Sequence, residues 1–349
     1  MSLALAITLS LLAARRHSVA APPLSPPCTA VTGSPAVAFT HDEGRFITRP
    51  VEPLTGIGYT YGLAALDTPH TLLSWFRDTI AISNDDGCSW RAIGSMSADF
   101  PPSIVAARGG RAYAWSDNRE FLARYDGNAI KSLKSPGTLT GLGVDPDDGT
   151  HLRAGTSEGA IWESRDSGDT WSRIGAINVS APIVYRTAFD PSNLDHIVVG
   201  TAVSGALTSF DGGRTWSGTS DRRNVFNIVI APSNASIVWA MGIELADSSK
   251  HIYRSVDGGV TFNAVVDQKE GVTLINGPVM AVHPRDANIL YFVFGTSFQN
   301  YGTDLFRYDA STSTLTVAHN DFDDIDSIAF SRSDPGLMYL GLETQRGIQ

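Results

Sequence analysis

The residues of this sequence best suited to acid–base chemistry are Asp78, Asp117, Glu120, Asp221 and the run Asp321-Phe322-Asp323-Asp324-Ile325-Asp326. Two carboxylates held about 5–10 Å apart can cleave a glycosidic bond, one as acid and the other as base or nucleophile. Asp78, Asp221 and Asp326 form the candidate catalytic set. The acidic run could instead offer oxygen ligands to Ca²⁺ through Asp323, Asp324 and Asp326, although it lacks the ordered spacing of a Ca²⁺ loop. The competing reading of all these groups is a solvated loop charge. A second set of carboxylates is more regular. Asp85, Asp166, Asp211 and Asp257 each lie two residues after a Ser and two before a Gly, followed by Thr or Ser and an aromatic.

The elements that must position these groups can be read from that regularity. The four copies are Ser83-Asn84-Asp85-Asp86-Gly87-Cys88-Ser89-Trp90, Ser164 to Trp171, Ser209 to Trp216 and Ser255 to Phe262. Degraded copies fall in register at Asp42, Asp126 and Asp309. The steps between successive Asp residues are about 40–50 residues, the length of a four-stranded propeller blade. Between the motifs the order of elements repeats. An apolar run such as Val184 to Phe189 is followed by a turn such as Asp190-Pro191-Ser192-Asn193 and then a run such as Ile197 to Thr201. Short β-rich runs separated by Gly, Pro and Asp turns are an all-β signature. The Asp motif then falls in the hairpin between the third and fourth strands. There the carboxylate can take backbone N–H groups a few residues on, and Gly supplies the backbone angle that other residues resist. The aromatic residue (Trp90, Trp171, Trp216 or Phe262) opens the outer strand. On this reading the motif aspartates are turn staples.

The chain also predicts how the ring closes. Ser327 to Ser331 and Met338 to Leu342 match the first two strands of a repeat, whereas outer-strand material lies at the beginning, in Ala36 to Thr40 and Arg45 to Thr48. An unclosed ring would expose strand edges. The expected architecture is therefore a single seven-bladed all-β propeller of four-stranded antiparallel blades over residues 35–349, with N-terminal outer strands pairing with C-terminal inner strands.

The net charge of −10 excludes a nucleic-acid phosphate backbone as partner. Leu3 to Ala14 is an apolar run too short to span a bilayer, and Ser18-Val19-Ala20 offers a small-x-small cleavage site. Residues 1–21 are thus expected to be a secretory signal, although Arg15-Arg16 follows the apolar run instead of preceding it, and an uncleaved segment would be the one route to membrane contact. Residues 22–34 read as an extended, Pro-rich segment. In an exported protein Cys28 and Cys88 are expected to pair, the alternative being two thiols.

The four Asp motifs, with the Asp-Pro turn and the Val-Val-Gly-Thr strand, resemble the Asp-box (BNR-repeat) β-propeller superfamily across nearly the whole chain. That resemblance implies the fold but no single function, because the superfamily includes sialidases, xyloglucanase-like glycosidases, sortilin-like receptors, photosystem II assembly factors and non-enzymatic secreted proteins. A sialidase-like site would carry an arginine clamp and a Tyr–Glu nucleophile pair. Phe46-Ile47-Thr48-Arg49-Pro50 does not match the first clamp motif, and no nucleophile pairing is recognisable. The expectation is an exported, non-catalytic scaffold without a cofactor, binding an extracellular or cell-envelope protein or glycan. Its working surface would be the loop face opposite the Asp motifs, around Arg222-Arg223-Asn224 and the insertion Phe298-Gln299-Asn300-Tyr301. The alternative is a glycoside hydrolase using paired carboxylates on that same face.

Overall fold

The computed structural model describes residues 28–34, 36–52, 60–97, 102–127, 129–179, 182–218, 222–269, 271–274, 279–295, 303–320, 324–332 and 334–343. Among them there is no helix, and the strands form seven antiparallel sheets arranged in chain order. Blade 3 is representative, with strands Leu139–Val144, Leu152–Thr156, Ala160–Ser164 and Ser172–Ala176 from the channel outwards. Blade 4 follows with Val184–Asp190, Asn193–Thr201, Ala206–Ser209 and Ser217–Gly218. Blade 5 has Arg223–Ile230, Val238–Glu244, Lys250–Ser255 and Asn263–Asp267.

Blade 7 joins the two ends of the chain. Its strands Asp324–Phe330 and Met338–Glu343 pair with each other, and Val37–Thr40 adds to the second in the register Val37↔Gly341 to Thr40↔Met338. The fourth position is reduced to a bridge between Phe39 and Thr48. The expected outer strand at Arg45 to Thr48 is therefore a single contact.

Side chains alternate across a strand, so each blade has two apolar faces to bury. The buried hydrophobic residues accordingly divide into seven clusters, one at each seam between neighbouring blades. Trp239 and Phe292 belong to the seam of blades 5 and 6, and Phe39, Leu72 and Tyr339 to that of blades 7 and 1. The core is thus a ring of wedges, and each blade is held by both neighbours. At the seam of blades 3 and 4 the backbones come so close that a Cβ on Gly141 would collide with the Thr187 carbonyl oxygen.

The Asp motifs close the third-to-fourth strand hairpins. In blade 3, Ser164 Oγ donates to Asp166 Oδ1 (2.8 Å) and accepts from Gly168 N (2.8 Å). Asp166 Oδ1 also accepts from Thr170 N (2.9 Å), and its Oδ2 accepts from Thr170 Oγ1 (2.6 Å). The same four bonds recur around Asp85, Asp211 and Asp257. The turn carries two successive residues at positive φ, Ser167 and Gly168, and the second of the two is Gly at every such turn. The degraded copy at Asp42 builds the turn as well. Thr40 replaces Ser, Glu43 and Gly44 take the positive φ values, and Phe46 N donates to Asp42 Oδ1 at 2.8 Å. Asp126 and Asp309 make shorter turns, to Ala129 N and Ser311 N.

Cys28 and Cys88 are joined in a disulfide. The segment after Cys28 runs between the edge of blade 7 and the Asp turn of blade 1. Val31 N donates to Arg49 O (3.1 Å), Thr32 N to Cys88 O (3.0 Å) and Trp90 N to Thr32 O (2.9 Å). This clasp bridges the two blades at which the ring closes.

Candidate functional site

Because strands alternate in direction, the propeller has two unlike faces. One carries the Asp turns and the first-to-second strand turns. The other carries the second-to-third strand hairpins and the segments that enter each innermost strand. The notable chemistry of the first face is acidic, and that of the second is apolar.

On the Asp-turn face a cavity of about 420 Å³ opens at the channel mouth, edged by Asp67, Arg108, Asp145, Asp190 and Arg332. Its carboxylates are already engaged. Asp67 accepts from Gly109 N and Gly110 N at 2.6 Å each. Burial alone would raise its carboxyl, but these amides and Arg332 hold it below the usual range. Asp145 accepts from the amides of Asp147 and Asp148 and faces His151 Nδ1 at 2.9 Å. Here too burial acts upwards and is outweighed by the imidazole and the amides. Asp190 accepts from Ser192 N (2.8 Å) and Oγ (2.7 Å) and faces His196 Nδ1 at 3.4 Å. A general acid in glycoside cleavage needs a carboxyl displaced upwards. The carboxyls of Asp67 and Asp145 at this channel mouth are both displaced downward.

The opposite face is built differently where blades 4 and 5 meet. Ala202 N donates to Ile183 O (3.0 Å), Gly205 N to Arg223 O (2.9 Å) and Leu245 N to Arg222 O (3.1 Å). These bonds tie the hairpin tips of both blades to the segments entering their innermost strands. Backbone groups are satisfied internally, while the side chains point outwards. Val203 is 64% exposed, Ile183 57% and Leu245 42%. The half-exposed ring of Tyr185 stacks on Phe226 with centroids 5.0 Å apart. Arg222 stands exposed at the edge of this strip. An apolar strip with an aromatic anchor and a charged rim has the make-up of a protein-docking surface.

Of the residues singled out from sequence, Arg222 borders this strip. Arg223 is turned inwards. Its Nε lies 2.8 Å from Glu244 Oε1 and its guanidinium carbon 4.0 Å from the centre of the Tyr253 ring, while Tyr253 OH donates to the same Glu244 oxygen at 2.6 Å. Burial acts to raise the Glu244 carboxyl, and Tyr253 and Arg223 more than offset it. Asn224 is half-buried in the innermost strand of blade 5. Asp78 is exposed at a hairpin of blade 1, whereas Asp324 and Asp326 lie half-buried on the innermost strand of blade 7. Asp221, Asp323 and Phe298-Gln299-Asn300-Tyr301 lie outside the described residues. Among the described residues no three His, Cys, Asp or Glu side chains are grouped to hold a metal ion. Sequence reasoning passed over Ile183, Tyr185, Val203 and Leu245. The available signal was an apolar Val203 in a hairpin tip, Ala202-Val203-Ser204-Gly205, where turn residues are usually polar.

No family model matches the chain. It is similar to the xyloglucanase Xgh74A of Acetivibrio thermocellus, 28% identical over 75% of this chain but only 29% of that protein. Among solved structures it superposes on YCF48 bound to D1 peptide with a TM-score of 0.58 and 13% identity, covering 90% of this chain and 99% of that one. YCF48 from Cyanidioschyzon merolae gives the same TM-score over 83% and 97%. At that identity the likeness is one of fold. A closer likeness in sequence is to the dispase autolysis-inducing protein of Streptomyces mobaraensis, 42% identical over 335 residues, which are 91% of this chain and 89% of that one. The chain therefore belongs to the family of the dispase autolysis-inducing protein.

Proposed function

We propose that this protein is an exported, non-catalytic scaffold that docks a protein partner on the face opposite its Asp turns, at the seam of blades 4 and 5, and that this partner is a protease. The observation that carries the reading is the exposed strip of Ile183, Tyr185, Val203 and Leu245, with Arg222 at its rim. Such a strip in water favours a partner that covers it. The choice of a protease rests on the relative whose name records that it induces the autolysis of dispase. A scaffold that binds a protease and holds open a segment it would otherwise protect needs no catalytic group of its own. The lowered carboxyls of Asp67 and Asp145 at the channel mouth fit that reading. Export is supported by the disulfide, which belongs to an oxidising compartment, and residues 1–21 are taken as the secretory signal.

The test is to incubate dispase with the purified protein and follow intact dispase over time. The reading requires accelerated loss of intact dispase and a measurable complex, both abolished by Val203→Asp together with Leu245→Asp. Unchanged dispase and no complex would reject it. The second reading, hydrolysis of an extracellular glycan, rests on the partial likeness to a xyloglucanase. Release of reducing ends from xyloglucan by the same preparation would favour it.

A further inference from the structure

A notch of about 280 Å³ opens between blades 6 and 7 on the Asp-turn face, lined by His41, Glu43, Arg45, His283, Tyr291 and Met338 among others. It is remote from the strip on blades 4 and 5, which lies on the other face. Its acids are engaged by the fold, whereas its bases each keep a nitrogen that the fold does not use.

Glu43 Oε1 accepts from Tyr291 OH (3.0 Å) and from Arg307 Nε (2.7 Å). Asp42 Oδ1 accepts from Thr40 Oγ1 (2.9 Å) and Phe46 N (2.8 Å). The Tyr–Glu pair has the outline of a glycosidase nucleophile, yet burial and the neighbouring Glu43 push the Tyr291 phenol well up. A phenol so held stays protonated and serves to anchor Glu43.

The bases each keep a ring nitrogen or a guanidinium without a hydrogen-bond or ion-pair partner among the described residues. His283 Nδ1 accepts from Asp286 N (3.1 Å) and Arg285 N (3.3 Å). Two donors at Nδ1 require its lone pair, so the ring proton sits on Nε2, which is a donor. Burial, the main influence on His283, keeps the ring neutral. His41 packs edge-on to Phe39, and its Nε2 is buried with no hydrogen-bond partner. Arg45 is exposed and makes no ion pair with a described carboxylate. Neither histidine is a requirement of the repeat. His283 stands where blades 3, 4 and 5 have Asp145, Asp190 and Ala231, and His41 where the other Asp turns have Asn84, Arg165, Phe210 and Val256.

Arg45 and His283 Nε2–H, from two separate turns, thus line a space that the fold leaves open. We propose that the notch binds a carboxylate-bearing ligand with a short apolar body. Its two oxygens would take Arg45 and His283 Nε2–H, and its body would lie along Pro335, Met338 and the Tyr291 ring. A singly charged carboxylate fits better than a phosphate, because Asp42 and Glu43 in the wall repel a dianion about twice as strongly. A small free acid and the terminal carboxylate of a peptide share this chemistry.

The experiment is NMR of the histidine imidazoles in the whole protein, titrated with butyrate, its neutral isostere butyramide, inorganic phosphate, and a short peptide with a free or an amidated C-terminus. Butyrate and the free-ended peptide should move the His283 signals. Butyramide and the amidated peptide should not, and phosphate should bind more weakly. Arg45→Gln, at an exposed position, should weaken butyrate about tenfold while leaving the fold intact. Tighter binding of the peptide than of butyrate would assign the site to a chain terminus, and the reverse to a free acid. Equal response to butyramide, tighter binding of phosphate, or an unchanged affinity in Arg45→Gln would overturn the proposal.

Discussion

The rings of Tyr185 and Phe226 stack across the seam of blades 4 and 5, 5.0 Å apart and 24° from parallel. Tyr185 belongs to the innermost strand of one blade and Phe226 to that of the next, so the exposed ring is held by its neighbour before any partner arrives. A pre-ordered aromatic loses little side-chain entropy on binding. Tyr185→Ala should therefore weaken partner binding by about 2 kcal/mol or more, as anchor truncations at interfaces do. Val203→Asp and Leu245→Asp should abolish binding, and all three should melt near the native temperature because they lie at the surface. Calorimetric titration with dispase, alongside thermal melts, checks both halves.

The disulfide closes a loop across the point at which the ring itself closes. Cys28→Ser with Cys88→Ser should cost about 2–5 kcal/mol, as for native bridges of similar span. Melting with and without reductant measures the loss. The native protein in reductant should match the double variant, and a variant insensitive to the change would mean that the backbone clasp at Val31 and Thr32 suffices.

Acid should unfasten the Asp turns. The Asp166 carboxyl is held down to about 2, chiefly by Thr170 and Ser164, against an ordinary value of 3.8. Its folded value lies below its unfolded value, so the stability it contributes is complete above about pH 4 and is lost as pH falls towards 2. Asp211 is lowered for the same reason, with Thr215 first among its partners. Asp166→Asn should be less stable at neutral pH and should lose less on acidification through that window. Urea melts at pH 7, 4 and 2 would measure this.

Gly141→Ala should destabilise the ring by about 1–3 kcal/mol, because the added methyl meets the backbone of blade 4 and the seam must open. The neighbouring Gly149, at a turn, meets only the Arg108 backbone at 3.0 Å and beyond, so Gly149→Ala should cost less. Denaturant midpoints of the two variants give the comparison.

What could be read from sequence was whatever recurs locally. The Ser164–Asp166–Gly168–Thr170 bonds span few residues and repeat with the blade, so they counted the blades and located the hairpins. The closure was legible for the same reason, since Met338 to Leu342 has the pattern of a second strand and Ala36 to Thr40 that of an outer one. The sites were less legible. Arg223 looks like a contact residue in sequence, and nothing local says that Glu244 and Tyr253 will take it inwards. The notch draws Glu43 and His41 from one end of the chain and Tyr291 and His283 from near the other, a juxtaposition that exists once the ring is shut. The strip escaped notice because its members are ordinary apolar residues, distinguished by exposure and not by type.

The pairing of Val37–Thr40 with Met338–Glu343 also sets an order of events during synthesis. Of the strands described, the one that seals the last blade is made before all the others, and its partner after all of them. Until then the emerging blades can stack one on another through nearest-neighbour contacts, but the edge of Met338–Glu343 has not yet been made. Contacts so distant along the chain close slowly. Completion of the ring should therefore be the late and rate-limiting step of folding, and Val37–Thr40 must wait, unpaired and open to intermolecular strand addition, until Met338–Glu343 has been made.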